Sequence, residues 1–264
     1  MNVNPLLVGA GLAVLIAGLA YALGSLSATG ALGAVLVGTA TFGIGGLVPG
    51  ILLILFFVSS SALSRFGGSR KRAFAAAFSK GSRRDHGQVF ANGGLAAVLA
   101  ALYGLTGRMH WLFGVAGALA AANADTWATE LGVLARHRPR LITTGVEVEA
   151  GTSGGVTFEG TLAAVGGSAL ISLTGGLLGA GWPLAVAALA GGLAGMLFDS
   201  LLGATVQAMY YCPTCARETE RHPQHSCGSA TERVRGWPWL RNDEVNFAAS
   251  VIGAGFTLAV WSLI

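Results

Sequence analysis

The chain of 264 residues is 53% hydrophobic and 11% charged, contains 41 glycines and carries a formal net charge of +4, with a mean hydropathy of +0.65. This balance excludes an ordinary soluble domain and identifies a polytopic membrane protein, read here as a single integral membrane domain over 1–264. The basic residues are gathered into loops, which suits orientation in a membrane and excludes nucleic acid as a partner.

No Lys or Arg precedes the apolar run that begins at Pro5. The N-terminal segment therefore lacks the basic region of a secretory signal and is expected to remain as a first transmembrane helix. Runs close to the ~20 residues needed to cross the hydrocarbon core fall at 5–26, 29–46, 47–64, 87–107, 109–133, 158–180, 183–210 and 243–263. They predict an all-α bundle of eight transmembrane helices. Only Gly43, Gly45, Gly46 and Pro49 divide the second run from the third; without that turn the count is seven.

Fifteen of the sixteen basic residues lie in three loops, Arg65 to Arg84, Arg136 to Arg140 and Arg217 to Arg241, and eight spans put all three on one side. The positive-inside rule makes that side cytoplasmic, in a multi-pass protein of the cell membrane with both termini outside. Trp111, Trp182 and Trp261 then fall at outer helix ends, with Trp237 and Trp239 at an inner one, as an aromatic belt requires.

The first basic loop interrupts its cations with the apolar patch AFAAAF and reads as an amphipathic stretch at the interface with membrane lipids. Arg65, Arg70 and Lys71 suit headgroup contacts, whereas Lys80, Arg83 and Arg84 stand beside the polar start of the fourth run and suit phosphate. That start holds Asp85, His86, Gln88 and Asn92.

The fifth run ends in AANADTWATELG, placing Asn123, Asp125 and Glu130 where ionisable groups are expensive to bury, and hence marks a functional site. Asp125 and Glu130 are about 140° apart around a helix, so they need not share an ion. Asp125 suits Mg²⁺, which takes few carboxylates together with phosphate oxygens and water; Glu130 suits a supporting or base role. The segment GTSGGVTFEG follows, where Thr152, Ser153, Gly154 and Gly155 can offer backbone N–H groups to a phosphate and Glu159 supplies a further acid. No Walker A sequence occurs.

In the seventh run, Gly191, Gly195, Asp199, Gly203 and Gln207 recur every four residues, a small-residue stripe that turns Asp199 to the bundle interior. The loop over 211–241 contains Cys212, Cys215, His225 and Cys227, a pattern close to a structural Zn²⁺ knuckle, with His222 competing as the fourth ligand. The eighth run opens with Asn242, Asp243, Glu244 and Asn246. Polar groups thus converge at the cytoplasmic end of the bundle, where a cytosolic anion and a lipid-borne substrate can meet.

The ordered segments NADTWATELG, GTSGGVTFEG, FDSLLGATVQ and RNDEVNF resemble the family of integral membrane proteins that includes plant phytyl-phosphate kinase and animal transmembrane protein 19, from about Ser59 to the C-terminus. The resemblance implies a phosphotransferase that converts an isoprenoid monophosphate lipid, phytyl or geranylgeranyl phosphate-like, to its diphosphate with a nucleoside triphosphate, CTP or ATP, and Mg²⁺. Under it, Asp125 and Asp199 hold Mg²⁺, Lys80, Arg83 and Arg84 hold phosphates, and Asn92, Asn123 and Asn246 give orienting hydrogen bonds. Glu130, Glu159 and Asp243 are further candidates without assigned roles. The cysteine insert resembles a feature of microbial members, which favours a structural role. Two rivals remain open: a lipid-phosphate cytidylyltransferase, and a cation- or proton-coupled transporter using Asp125 and Asp199. The sequence also leaves a homo-oligomer open.

Overall fold

The structure, a computed structural model, describes residues 4–71 and 83–263. It is mostly helical. The long helices are α1 (Pro5–Ala22), α2 (Ala28–Gly38), α3 (Leu47–Arg65), then after the single turn α4 (Gly68–Lys71), α5 (His86–Thr106), α6 (Met109–Gly132), α7 (Phe158–Gly175), α8 (Gly181–Thr205) and α9 (Asn242–Trp261). Helix α2 runs on into π-helical turns at Thr39–Ile44, and α7 into Gly176–Ala180. Five segments are long and apolar enough to cross a membrane: Pro5–Ala22, Leu47–Arg65, His86–Thr106, Phe158–Thr205 and Asn242–Trp261.

The expectation of an all-α chain needs a correction. Strands β1 (Arg140–Leu141) and β2 (Gly155–Val156) pair antiparallel between α6 and α7, and β3 (Met209–Cys212), β4 (Arg217–Thr219) and β5 (Glu232–Arg235) form a sheet of order β4-β3-β5 between α8 and α9. Both sheets occupy polar loops, where the backbone leaves the helical bundle and satisfies its hydrogen bonds by pairing instead.

Helix boundaries follow local chemistry. Asp85 caps α5 in a reciprocal capping box with Gln88, and the Thr157 side chain caps α7 by accepting from Gly160 N–H, each satisfying amides that a helix start leaves open. Between α2 and α3 the chain turns at Gly46, whose φ of 89° lies in the left-handed region that glycine adopts without penalty.

Helix α6 is the axis of the bundle and packs against α3, α5, α7, α8 and α9. Every residue from Leu112 to Ala124 is buried. Most of that stretch is Ala or Gly, so neighbouring backbones approach closely, the packing that lipid-embedded helices use. The glycine stripe of α8 meets it as its spacing predicts: a β-carbon at Gly195 would lie 2.5 Å from Ala121 Cβ and 2.7 Å from Ala249 O.

Gly195→Ala is therefore expected to destabilise the detergent-solubilised protein by about 1–3 kcal/mol through overpacking, seen as a lowered thermal midpoint. Gly255→Ala, where an added β-carbon meets nothing within 4 Å, is expected to leave the midpoint unchanged or raise it.

Candidate functional site

A cavity of about 650 Å³ opens at the end of the bundle that carries the basic loops. Its walls bring together Asp125 and Glu130 of α6, Asp199 of α8, Gln88 and Asn92 of α5, Asn242 and Asn246 of α9, the loop Thr152–Gly155, and Ser64, Lys71 and Arg84. Segments separated by more than a hundred residues thus meet in one space. Asp199 Oδ2 and Asn92 Oδ1 are buried there with no hydrogen-bond partner among the described residues. An unsatisfied buried oxygen is costly, and two of them on one cavity describe a lining that is completed by a cation or a donor.

The glycine-rich loop is seated firmly. Gly154 has φ of 81° and lies so close to α8 that a β-carbon would come 2.5 Å from Ala204 Cβ. Ser153 Oγ donates to Gln207 Oε1 at 2.8 Å, and Gln207 Nε2 donates to Glu220 Oε1 at 3.0 Å. Arg235 of β5 ties the same corner by donating to Gly203 O at 2.7 Å. Glu220 itself lines the cavity, so the loop between α8 and α9 delivers a third carboxylate to the site.

Two cations face these acids. Lys71 Nζ lies 2.6 Å from Glu130 Oε2 and also donates to Leu63 O at 2.6 Å, while Ser64 Oγ donates to the other Glu130 oxygen. Glu130 is thereby engaged as the partner of Lys71, not held free as a base. Arg84 is fixed by its backbone, donating to Ser25 O at 3.0 Å and accepting from Ser27 N–H at 2.9 Å. Its guanidinium donates to Ser61 Oγ at 3.0 Å and lies 5.8 and 5.6 Å from the ring centroids of Phe56 and Phe57. Burial lowers the Arg84 pKa to about 10, with the Glu130 charge opposing the shift; the group remains cationic at neutral pH.

Several expected residues stand elsewhere. Asn123 is wholly buried, donating to Gly167 O at 2.8 Å and accepting from Ser59 Oγ at 3.0 Å, so it joins α3, α6 and α7 and does not line the cavity. Glu159 faces away, 3.8 Å from His137 on the exposed surface. Asp243 is absent from the cavity wall. Arg83 turns outward, donating to Leu26 O at 3.4 Å and lying 5.8 Å from the Tyr21 ring centroid. Lys80 lies outside the described residues.

The sequence reading missed Ser64, Lys71, Gln207 and Glu220. Two had a signal: Lys71 as a cation of the first basic loop, read there as a headgroup contact, and Gln207 as the last member of the stripe that carries Asp199. Glu220 carried none, because its place in the cavity depends on the fold of the cysteine loop.

That loop gathers Cys212, Cys215, His225 and Cys227 with their ligating atoms all within 4.8 Å of one another, an arrangement that could hold a metal such as zinc. Cys212 Sγ and Cys227 Sγ are 3.6 Å apart, and His225 Nδ1 lies 3.5 Å from Cys215 Sγ and 3.2 Å from Cys227 Sγ. A tetrahedron with Zn–S bonds of about 2.3 Å has edges of about 3.8 Å, slightly less where nitrogen replaces sulfur, so the spacing fits. His222 is not part of this cluster; its ring stacks on Tyr210 with centroids 4.4 Å apart.

A family model described as integral membrane protein DUF92 matches residues 11–254, in agreement with the ordered motifs. The chain is 35% identical to Protein PGR of Arabidopsis thaliana over 92% of this chain and 91% of that protein. It is 42% identical to the uncharacterized membrane protein MJ0933 of Methanocaldococcus jannaschii over 58% and 63%, and 27% identical to the chloroplastic Protein VTE6 of Arabidopsis thaliana over 87% and 63%. No solved structure matches it.

Purified protein is expected to carry one zinc per chain by elemental analysis. Cys212→Ser or Cys227→Ser should lose it and lower the thermal midpoint, since a structural zinc contributes directly to folding.

Proposed function

We propose, for a chain that belongs to the DUF92 family of integral membrane proteins, that it transfers a phosphoryl group from a nucleoside triphosphate, CTP or ATP, to an isoprenoid monophosphate lipid. In this reading the eight long helices cross the membrane, the basic loops are cytoplasmic and both termini are outside. The observation that carries it is the meeting of Asp125 and Asp199, from two separate helices, with Lys71, Arg84 and the Thr152–Gly155 loop in one cavity.

The reaction forms a bond between an acceptor phosphate oxygen and the γ-phosphorus and breaks the bond from that phosphorus to the nucleoside diphosphate. Its demands are alignment and charge neutralisation. Arg84 can hold the lipid phosphate through paired hydrogen bonds, and its backbone anchors keep that position fixed. The Thr152 and Gly155 N–H groups donate to Glu149 O and Thr152 O within the loop, so the amides of Ser153 and Gly154, with the ammonium of Lys71, are the donors that suit the nucleotide phosphates. Lys71 reaches them by exchanging Glu130 for a phosphate, a swap of one anion for another.

Asp125 and Asp199 would hold Mg²⁺, with Glu220 lining the same cavity. The oxygen-only donor set and the unsatisfied Asp199 Oδ2 fit a hard cation of this kind. Bound there, the ion would neutralise charge on the transferring phosphate. The acceptor is already anionic, so no general base is required of the protein. Asn92 and Asn246 line the cavity and would orient the phosphates by hydrogen bonding.

Protein in liposomes, given Mg²⁺, CTP or ATP labelled at the γ-phosphate, and phytyl or geranylgeranyl phosphate, is expected to form labelled prenyl diphosphate. Asp125→Asn and Asp199→Asn should each lower the rate by about a hundredfold or more, while Glu159→Gln, which faces away from the cavity, should not. Release of the label as pyrophosphate would make the protein a cytidylyltransferase. Nucleotide-independent cation flux abolished by Asp125→Asn would make it a transporter.

A further inference from the structure

The cysteine loop is built so that its metal-ligand cluster and the cavity share a frame. Cys212 is the last residue of β3 and pairs with Arg217, the first of β4, and Cys215 stands in the turn between the two strands. The strand β4 runs directly into Glu220, whose Oε1 accepts from Gln207 Nε2 at 3.0 Å; the oxygen of the same Gln207 amide accepts from Ser153 Oγ at 2.8 Å. Gln207 is 2% exposed, which shields this bridge from water. At the other edge of the sheet, Arg235 of β5 donates to Gly203 O at 2.7 Å.

The thiols of the cluster differ in access. Cys212 is buried, Cys227 is exposed, and their sulfurs lie 3.6 Å apart. With the basic loops cytoplasmic, as read above, these thiols face a reducing compartment, and the metal-bound cluster is the resting form.

We propose that the cluster is a redox-sensitive switch for the cavity: a peroxide oxidises Cys227 and Cys212 to a disulfide, the cluster gives up its metal, and the Gln207 bridge no longer holds Ser153 of the glycine-rich loop and Glu220 in place. The proposal concerns regulation of the site described above and rests on the phosphotransferase reading for the activity that is regulated. In the first step the exposed Cys227 thiolate attacks one peroxide oxygen; the O–O bond breaks, a sulfenic acid forms and hydroxide leaves. The Cys212 thiolate then attacks the Cys227 sulfur, so that an S–S bond forms, the S–O bond breaks and a second hydroxide leaves. The two sulfurs supply two electrons, and the peroxide, with two protons, ends as two waters. Cys215 and His225 alone are half of a tetrahedral zinc set, and the hairpin turn at Cys215 is released. A sheet whose strands have three or four residues holds its place poorly by pairing alone, so Glu220 and its partner Gln207 loosen with it.

The test uses the full-length protein in liposomes, loaded with zinc and titrated with hydrogen peroxide. Zinc release is read with a chromogenic chelator and the Cys212–Cys227 bond by non-reducing peptide mapping. The glycine-rich loop is read by amide hydrogen exchange at Thr152 and Gly155, whose N–H groups donate to Glu149 O and Thr152 O. The expected result is one zinc released per disulfide, exchange at both amides faster by about tenfold or more, and recovery of both with dithiothreitol and zinc. Gln207→Met keeps the length of the side chain and neither of its hydrogen bonds. It should hold zinc and form the disulfide as the parent does, while its loop exchanges fast before peroxide is added and no faster afterwards. In the product assay peroxide should lower kcat by about tenfold or more, reversed by the same treatment. Zinc retained under peroxide, zinc lost with loop exchange unchanged, an oxidation that dithiothreitol does not reverse, or a Gln207→Met loop that responds as the parent loop does would each overturn the proposal. The exchange response without any diphosphate product leaves this inference standing and removes the phosphotransferase reading. Diphosphate product formed at an undiminished rate after zinc release removes this inference alone.

Discussion

The constraint on which the rest of the structure depends is the cost of placing carboxylates in a helix surrounded by hydrocarbon. Asp125 and Asp199 are tolerable only if other protein, not lipid, surrounds them. The chain meets this by making α6 the central helix and building its buried stretch from Ala and Gly, so that five other helices close around it. The same choice explains why α6 is not among the segments apolar enough to qualify as a span by hydropathy. A helix shielded on all sides by protein has no need of a lipid-facing surface, and its composition is freed for small residues and polar groups.

Much of this was legible in the sequence. The apolar windows contain the helices because hydropathy and span length are properties of contiguous residues, and the Gly43–Pro49 segment holds the turn because Gly46 takes a conformation that few other residues adopt. Convergence of polar groups at one end followed from counting spans and noting where each acid fell. What could not be read was which groups would touch. Glu130 looked like a candidate base, yet Lys71 and Ser64, more than fifty residues earlier, engage it. Asn123 shares the polar segment with Asp125 but turns into the interface of α3 and α7. Residues two apart on a helix point in different directions, so one became packing and the other site. Glu220 illustrates the opposite case, a residue with no local signal whose position is created by a loop folded around four potential metal ligands.

That loop links local chemistry to the cavity. The sheet β4-β3-β5 starts two residues after Gln207, and Gln207 joins Ser153 of the glycine-rich loop to Glu220. Arg235 of the same sheet clamps the end of α8. A loop of this size is too small to pack a core of its own, and a metal tying the three cysteines and the histidine would replace the missing hydrophobic burial. Its consequence here is geometric: the glycine-rich loop and a third carboxylate are held in register with Asp199 by a module that contributes no ligand to the cavity itself.

Beside the polar cavity lies an apolar slot of about 90 Å³ that shares Arg84, Gln88 and Asn92 with it, and the two follow from the same economy. A bundle that collects cations at one end needs counter-charges, and Glu130 supplies one for Lys71. Arg84 is met instead by a serine hydroxyl and two aromatic faces. A guanidinium is weakly hydrated and tolerates aromatic neighbours, which a lysine in the same place would do less well. Arg84 can therefore stand at the boundary between a polar space and an apolar one, retaining its charge while half its surroundings are hydrocarbon. The fold sets the polar cavity mainly among α5, α6, α8 and α9 and the apolar slot among α1, α2 and α3, with the start of α5 as the seam between them.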